Sequence, residues 1–401
     1  MCKWTISIFV LLLCVTSTTY SQSTLTLEWR QPLMAGSTSY LQRAKPLSIK
    51  ESLTIKGTVT DHQYVILGTD PQPESMLAGS DGVRWRFSQD RSVIVAEETI
   101  LDSASKMTED SPVRATAFSG PTALWRRTIN SAIRTLPGNA GVSVDLEYAV
   151  ASLSFYDAAG HLIRNVQPFG KILPWSLERP AFGAWSPDSS RFALLATDSD
   201  DPYRQLARLF VYDSRGSLLY TKDMAPLKWA LAVGVSRGAE ALVVVGETGN
   251  RVFESGVTVQ AMLLDGAGRT TRTVTMPSAG KGVVVTPIDT TTDFTVDNEF
   301  GAIIRLGLDL EPVTIGTDWR ALVSAAATAD LTAIATLDTA SRAASGTIHV
   351  QLLNRYGAPL LDRTLEGNTT NLKELRIWLA KNHRFMAIQF ADEIRYYRLT
   401  L

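Results

Sequence analysis

Apolar residues along this chain gather in runs of four to six, rich in Val, Ile, Leu and Ala. Phe192-Ala-Leu-Leu195, Ala241-Leu-Val-Val-Val245 and Phe385-Met-Ala-Ile388 are three of them. Runs of that length bounded by turn residues predict short strands buried on both faces. A polar turn leads into each: Trp185-Ser-Pro-Asp-Ser-Ser-Arg191, Val235-Ser-Arg-Gly-Ala-Glu240 and Leu379-Ala-Lys-Asn-His-Arg384, with a similar stretch at Phe87-Ser-Gln-Asp-Arg-Ser92.

A second pattern lies downstream of these runs: two mostly apolar residues, Asp or a substitute, two more residues, then Gly or Pro. It occurs at Leu77–Gly82, Phe155–Gly160, Val211–Gly216, Leu263–Gly268, Gly307–Pro312 and Leu352–Gly357. Each reads as a strand, a tight turn and a returning strand. The Asp or Asn side chain bonds its own backbone to start the turn, and Gly takes the positive φ that closes it. The closing positions are spaced 78, 56, 52, 44 and 45 residues apart, and four of these five approach the 40–50 residues of a four-stranded propeller blade. Ser186-Pro187-Asp188 leading into Phe192–Leu195, followed by Val211-Tyr212-Asp213 and Gly216, resembles the repeat of Tol-type and WD-like bacterial β-propellers. The resemblance names an architecture and no activity.

Counting repeats places blades at 45–87, 88–175, 176–224, 225–277, 278–317 and 318–367, and leaves three strands after Asn368. Thr24–Leu33 is an alternating strand with no other partner, so it is expected to complete the last blade and close the ring, which removes the open sheet edges. The expected fold is all-β: a single propeller over 22–401 of about seven four-stranded blades. One blade is too long. Residues 100–146 are expected to form a helical insert within the second blade, with Ser119-Gly-Pro121 opening a helix and Pro137-Gly138 ending it. Leu124, Trp125, Ile129, Ala132, Ile133 and Leu136 would form its apolar stripe, with Arg126, Arg127 and Arg134 off it.

The N-terminus carries a different signal. Lys3 followed by the apolar run Ile6–Val15 has the charge and length of an export signal, too short for a bilayer span. Thr19-Tyr20-Ser21 offers a cleavage site before Gln22, so 1–21 is read as a signal peptide and the mature protein as periplasmic or secreted. Cys14 follows Leu13, too large for a lipoprotein signal, which makes a lipid anchor through Cys14 the lesser alternative. Both cysteines, Cys2 and Cys14, lie in this segment. The mature chain therefore has no thiol chemistry. A formal net charge of -1 lacks the basic excess that nucleic acid selects. No other stretch has the length and apolarity of a membrane span, and the expected state is a monomer.

Catalytic patterns are scarce. His62, His161, His349 and His383 fall in different repeats, and no pair has metal-ligand spacing. No nucleophile elbow or phosphate-binding loop occurs. The expectation is that there is no catalytic residue, no metal and no cofactor. Loops between second and third strands are expected to carry Asp198, Asp200 and Asp201 in one blade, and Asp289, Asp293, Asp297 and Glu299 in another. With Trp125, Arg126 and Arg127 of the insert, the residues Asp198, Asp200, Asp201, Asp293, Asp297 and Glu299 form the candidate binding surface, because long loops on a rigid scaffold carry function. The functional reading is an exported, non-enzymatic propeller that binds another protein or an extracytoplasmic ligand. The alternative is a propeller hydrolase or lyase acting on an extracellular glycan or peptide through channel or loop carboxylates.

Overall fold

A computed structural model describes residues 23–32, 53–54, 61–67, 73–80, 83–89, 92–100, 112–119, 122–147, 152–169, 181–198, 206–249, 258–276, 283–288, 290–297, 303–315, 321–338, 346–370, 375–380 and 383–401. Residues 1–21, expected from their sequence to be a signal peptide, lie outside them.

Seven four-stranded antiparallel sheets follow one another along the chain. Blade 1 is Val83–Phe87, Ile94–Thr99, Pro112–Ser119 and Thr122–Asn130; blade 2 is Ile133–Pro137, Ser143–Glu147, Ser152–Tyr156 and Leu162–Val166. Blade 3 is Ala181–Trp185, Arg191–Asp198, Leu206–Asp213 and Leu218–Asp223; blade 4 is Trp229–Val235, Ala241–Glu247, Val259–Asp265 and Thr270–Met276. Blade 5 is Val284–Pro287, Phe294–Asp297, Ile303–Gly307 and Leu310–Ile315; blade 6 is Ala321–Ala327, Leu331–Asp338, Gly346–Asn354 and Pro359–Gly367. Blade 7 joins Arg376–Leu379, Phe385–Gln389 and Glu393–Thr400 to the N-terminal strand Thr24–Pro32, which pairs Leu25 with Leu399 and Arg30 with Arg395. The predicted closure by the N-terminal strand is thus present. A further sheet of three strands, Leu53–Thr54, Asp61–Leu67 and Pro73–Ser80, precedes blade 1.

The blade boundaries expected from the repeat need two corrections: 45–87 was expected to be a blade, and its described residues are instead a separate three-stranded sheet followed by the first strand of blade 1. The long second repeat is two blades, and the insert is not a helix: the described residues 112–119, 122–130 and 133–137 are strands, with a turn at 131–132. The physical reason lies in the periods. Trp125 and Ile129 are four apart, which suits one face of a helix and one face of a strand equally. In the strand Thr122–Asn130, Trp125 and Ile129 are buried while Arg126 and Thr128 are exposed, an alternation of period two. Pro121, expected near the start of that helix, lies outside the described residues.

Hydrophobic clusters sit between successive blades. Leu195, Leu209 and Val211 of blade 3 pack with Leu242 and Val244 of blade 4. Val243, Val245 and Leu263 of blade 4 meet Phe294 and Val296 of blade 5. Phe155 of blade 2 stands edge-on to Trp185 and Phe192 of blade 3. First and second strands in blade 4 are buried along their whole length, whereas the fourth strands of blades 2 and 3 are mostly exposed.

The turn between third and fourth strands repeats atom for atom. In blades 2, 3, 4 and 6 the side-chain oxygen of Asp157, Asp213, Asp265 or Asn354 accepts two backbone amides. The donors are Ala159 and His161, Arg215 and Ser217, Ala267 and Arg269, and Tyr356 and Ala358, all at 2.8–3.0 Å. The following glycines, Gly160, Gly216, Gly268 and Gly357, have φ of +81, +77, +77 and +84°. A Cβ there would meet Trp125, Phe155, Tyr220 or Val313 at 2.6–2.8 Å, each on the preceding blade. The glycine is therefore needed twice, for its backbone angle and for the seat of one blade on the next. The predicted turn at Leu77–Gly82 differs, since Ser80 and Val83 bound strands of different sheets.

Candidate binding surface

In blades 1 to 6 the antiparallel order puts the ends of the first and third strands on one face and the ends of the second and fourth strands on the other. Of the candidate residues that are described, Trp125, Arg127 and Asp293 lie at junctions between blades.

Trp125 and Arg127 belong to the junction of blades 1 and 2. The Trp125 indole donates to the Gly141 carbonyl at 3.1 Å. The Arg127 guanidinium lies between the rings of Trp125 and Tyr156, 3.8 and 3.6 Å from their centroids. It donates to Asp145 at 2.9 Å and to the Ser143 hydroxyl at 3.1 Å. Thr135 binds two carboxylates at once, its hydroxyl donating to Asp145 and its amide to Glu97, both at 2.9 Å. Arg86 is 3.6 Å from Glu97. Burial pushes the Asp145 carboxyl above the usual carboxylate range, against the pull of Arg127. Arg127 is therefore a packed structural cation. Of the three insert residues, Arg126 alone presents its side chain to solvent.

Asp293 also has a structural place. It closes the turn between the first and second strands of blade 5, on the face opposite the loops where it was expected. Its carboxylate is fully buried and meets two guanidinium groups. Arg305, itself 1% exposed, donates at 2.9 Å, and Arg355 from the blade 6 turn donates to both oxygens at 2.8 Å. Arg305 continues to Thr332 and to the carbonyls of Leu331 and Ala329 in blade 6. One carboxylate and two arginines thus tie blade 5 to blade 6. Asp297 is buried at the end of its strand. Asp198 ends the second strand of blade 3. Asp200, Asp201, Asp289 and Glu299 lie outside the described residues.

The histidines are dispersed as well. His161 leaves the blade 2 turn exposed beside Asp157, His349 meets Asp362 at 2.5 Å on blade 6, and His383 sits in a turn with φ of +59°. Among the described residues no three His, Cys, Asp or Glu side chains group as metal ligands would, and no helix is long and apolar enough to cross a membrane.

Two features escaped the sequence reading. The inter-blade role of Arg305 has no local signal, because its partners are 12 and 27 residues away. Leu162, Ile163, Leu218 and Leu219 are exposed on the fourth strands of blades 2 and 3. Their signal was available in the repeat, since each pair follows a turn glycine at the same offset.

No protein-family model matches the chain, and no curated protein is similar to it in sequence. Solved structures are similar to it in fold. BamB from Moraxella catarrhalis superposes with a TM-score of 0.52 at 14% identity, covering 94% of this chain and 100% of that one. The Dos1 propeller gives 0.48 at 11% identity, covering 79% and 77%. At these identities the similarity is one of architecture, and the chain is a β-propeller.

Proposed function

We propose that this protein is a non-catalytic propeller that holds another protein outside the cytoplasm. The observation that carries the reading is where its charged side chains go. Asp293 is committed to Arg305 and Arg355, Asp145 to Arg127 and Thr135, and Asp157, Asp213 and Asp265 to the amides of their own turns. Groups arranged in this way make a rigid ring of blades, and rigid rings present surfaces. The export reading of 1–21 supplies the compartment, and Arg126 and the loops after second strands remain candidate contacts. The test expresses the whole chain in a bacterium, recovers it from the periplasm or medium, and crosslinks it there. The expected result is one saturable protein adduct, competed by unlabelled propeller. Turnover of a glycan or peptide, abolished by substituting an acidic residue, would replace this reading with the hydrolytic one.

A further inference from the structure

The seven first strands form the inner wall of the ring. Those of blades 1 and 2, 2 and 3, 3 and 4, 4 and 5, and 6 and 7 touch one another, while the fourth strands of blades 2 and 3 are mostly exposed. A propeller surrounds a central channel, and its innermost strands line it. The only charged residues on these seven strands are arginines: Arg84 and Arg86 in blade 1, Arg134 in blade 2 and Arg376 in blade 7. Three of the four stand at one level. The hairpin between first and second strands is closed by the amides of Ser88, Gly138 and Ala380, which donate to the Val93, Val142 and Phe385 carbonyls. Arg84, Arg134 and Arg376 each lie four residues before that amide. Their partners across the hairpin, Glu97, Leu146 and Gln389, each lie four residues after that carbonyl. The same position in blades 3 to 6 holds Phe182, Ala232, Val284 and Ser324.

The acids stand one strand further out, and those of blades 1 and 2 are already engaged. Glu97 accepts the Thr135 amide and lies 3.6 Å from Arg86. Glu98 is 3.4 Å from Arg114, Asp145 is 2.9 Å from Arg127, and Glu147 accepts the Ser152 hydroxyl. The second strand of blade 7 carries no acid. Asp297, the other acid opposite this level, is buried on blade 5. Arg134, by contrast, presents its side chain to solvent.

We propose that this level of the channel, marked by Arg84, Arg134 and Arg376, binds a multiply charged oxyanion of the phosphate or polycarboxylate class. Guanidinium groups match the paired oxygens of either class bidentately. Arginines on three separate strands at one level call for an anion with more than one charged group, since a single carboxylate answers one fork. The rest of the level is uncharged, and a cleft with charge of one sign on low-dielectric walls focuses its field on the ligand. Arg84 and Arg134 are second in their strands and Arg376 is first. The level therefore lies near the face where first strands begin, and the anion enters from that face.

The test is isothermal titration calorimetry of the protein beginning at Gln22, with tripolyphosphate and citrate as probes and acetate as the singly charged control. One ion should bind per protein, with acetate weaker by about a hundredfold or more, and the tighter of the two probes assigns the class. Arg134→Ala and Arg376→Ala should each weaken binding about tenfold at an unchanged melting temperature, and Arg134→Lys should recover part of the loss. Arg215→Ala and Arg269→Ala remove the same charge from the outer turns and should leave binding as it was. Failure of both probes to bind overturns the proposal, as does equal weakening by the inner and outer substitutions, which would mean attraction to net charge alone. The site does not depend on a protein partner, so a partner that crosslinks equally to Arg134→Ala and to the unaltered protein leaves both readings standing.

Discussion

Gly216 and Gly238 separate two demands that a turn glycine can meet. Both have positive φ, +77 and +62°. A methyl group at Gly216 would lie 2.6 Å from the Phe155 ring of the preceding blade, whereas nothing lies within 4 Å of one at Gly238. Gly238→Ala should cost about 1–2 kcal/mol, the price of a left-handed backbone alone. Gly216→Ala adds overpacking of about 1–3 kcal/mol. Urea titration of both variants should rank them so; equal losses would mean that the blade seat is unimportant. The acids of these turns also set a pH dependence. Two backbone amides each, led by those of His161 and Arg269, hold the Asp157 and Asp265 carboxyls below the usual range; at Asp213 the Ser217 and Arg215 amides outweigh burial. Their stabilisation is present above the unfolded value of about 3.9 and is lost as pH falls through the folded values. Asparagine fits the same turn, as Asn354 shows. Changing all three to Asn should therefore move the acid-unfolding midpoint to lower pH, read by tryptophan fluorescence against pH; an unchanged midpoint would contradict this. These turns were legible in the sequence because their chemistry is local, spanning five residues.

Between elements, the ties that matter are charged and non-local. Removing Asp293 takes from the buried Arg305 the carboxylate it is hydrogen-bonded to, and breaking a buried pair in this way costs about 3–5 kcal/mol. Asp293→Ala should lose that much in urea unfolding, and Asp293→Leu with Arg305→Met should lose clearly less. A double variant as unstable as the single one would mean that the pair contributes attraction rather than relief of a buried charge. Asp293 was expected in a loop between second and third strands, as part of a binding surface, because nothing within ten residues announces Arg305 or Arg355. The 112–137 region failed for another reason. Trp125, Ile129, Ile133 and Leu136 satisfy a helical stripe, yet they divide between two strands that meet at a turn. Blade 1 has no Asp before its last turn, so its repeat went unseen and one long blade was read where there are two.

Across the whole molecule, the repeat spacing and the orphan strand Thr24–Leu33 led to a propeller of about seven blades; the count matches the seven four-stranded sheets because taking 45–87 as a blade offset merging blades 1 and 2 into one. The closure was legible because it leaves a three-stranded last blade one obvious completion. Blade 7 buries Tyr397 and Leu399 on the strand that Thr24–Pro32 covers. The central claim is that this N-terminal strand is part of the ring and not an appendage. The direct measurement is thermal unfolding, by far-ultraviolet circular dichroism, of the protein beginning at Gln22 and of one lacking residues 22–34. Loss of a nine-residue strand and exposure of the edge beneath it should lower the melting temperature by about 5–10 °C, and the truncated protein should aggregate through its open edge. If the two proteins melt together, the strand does not close the ring.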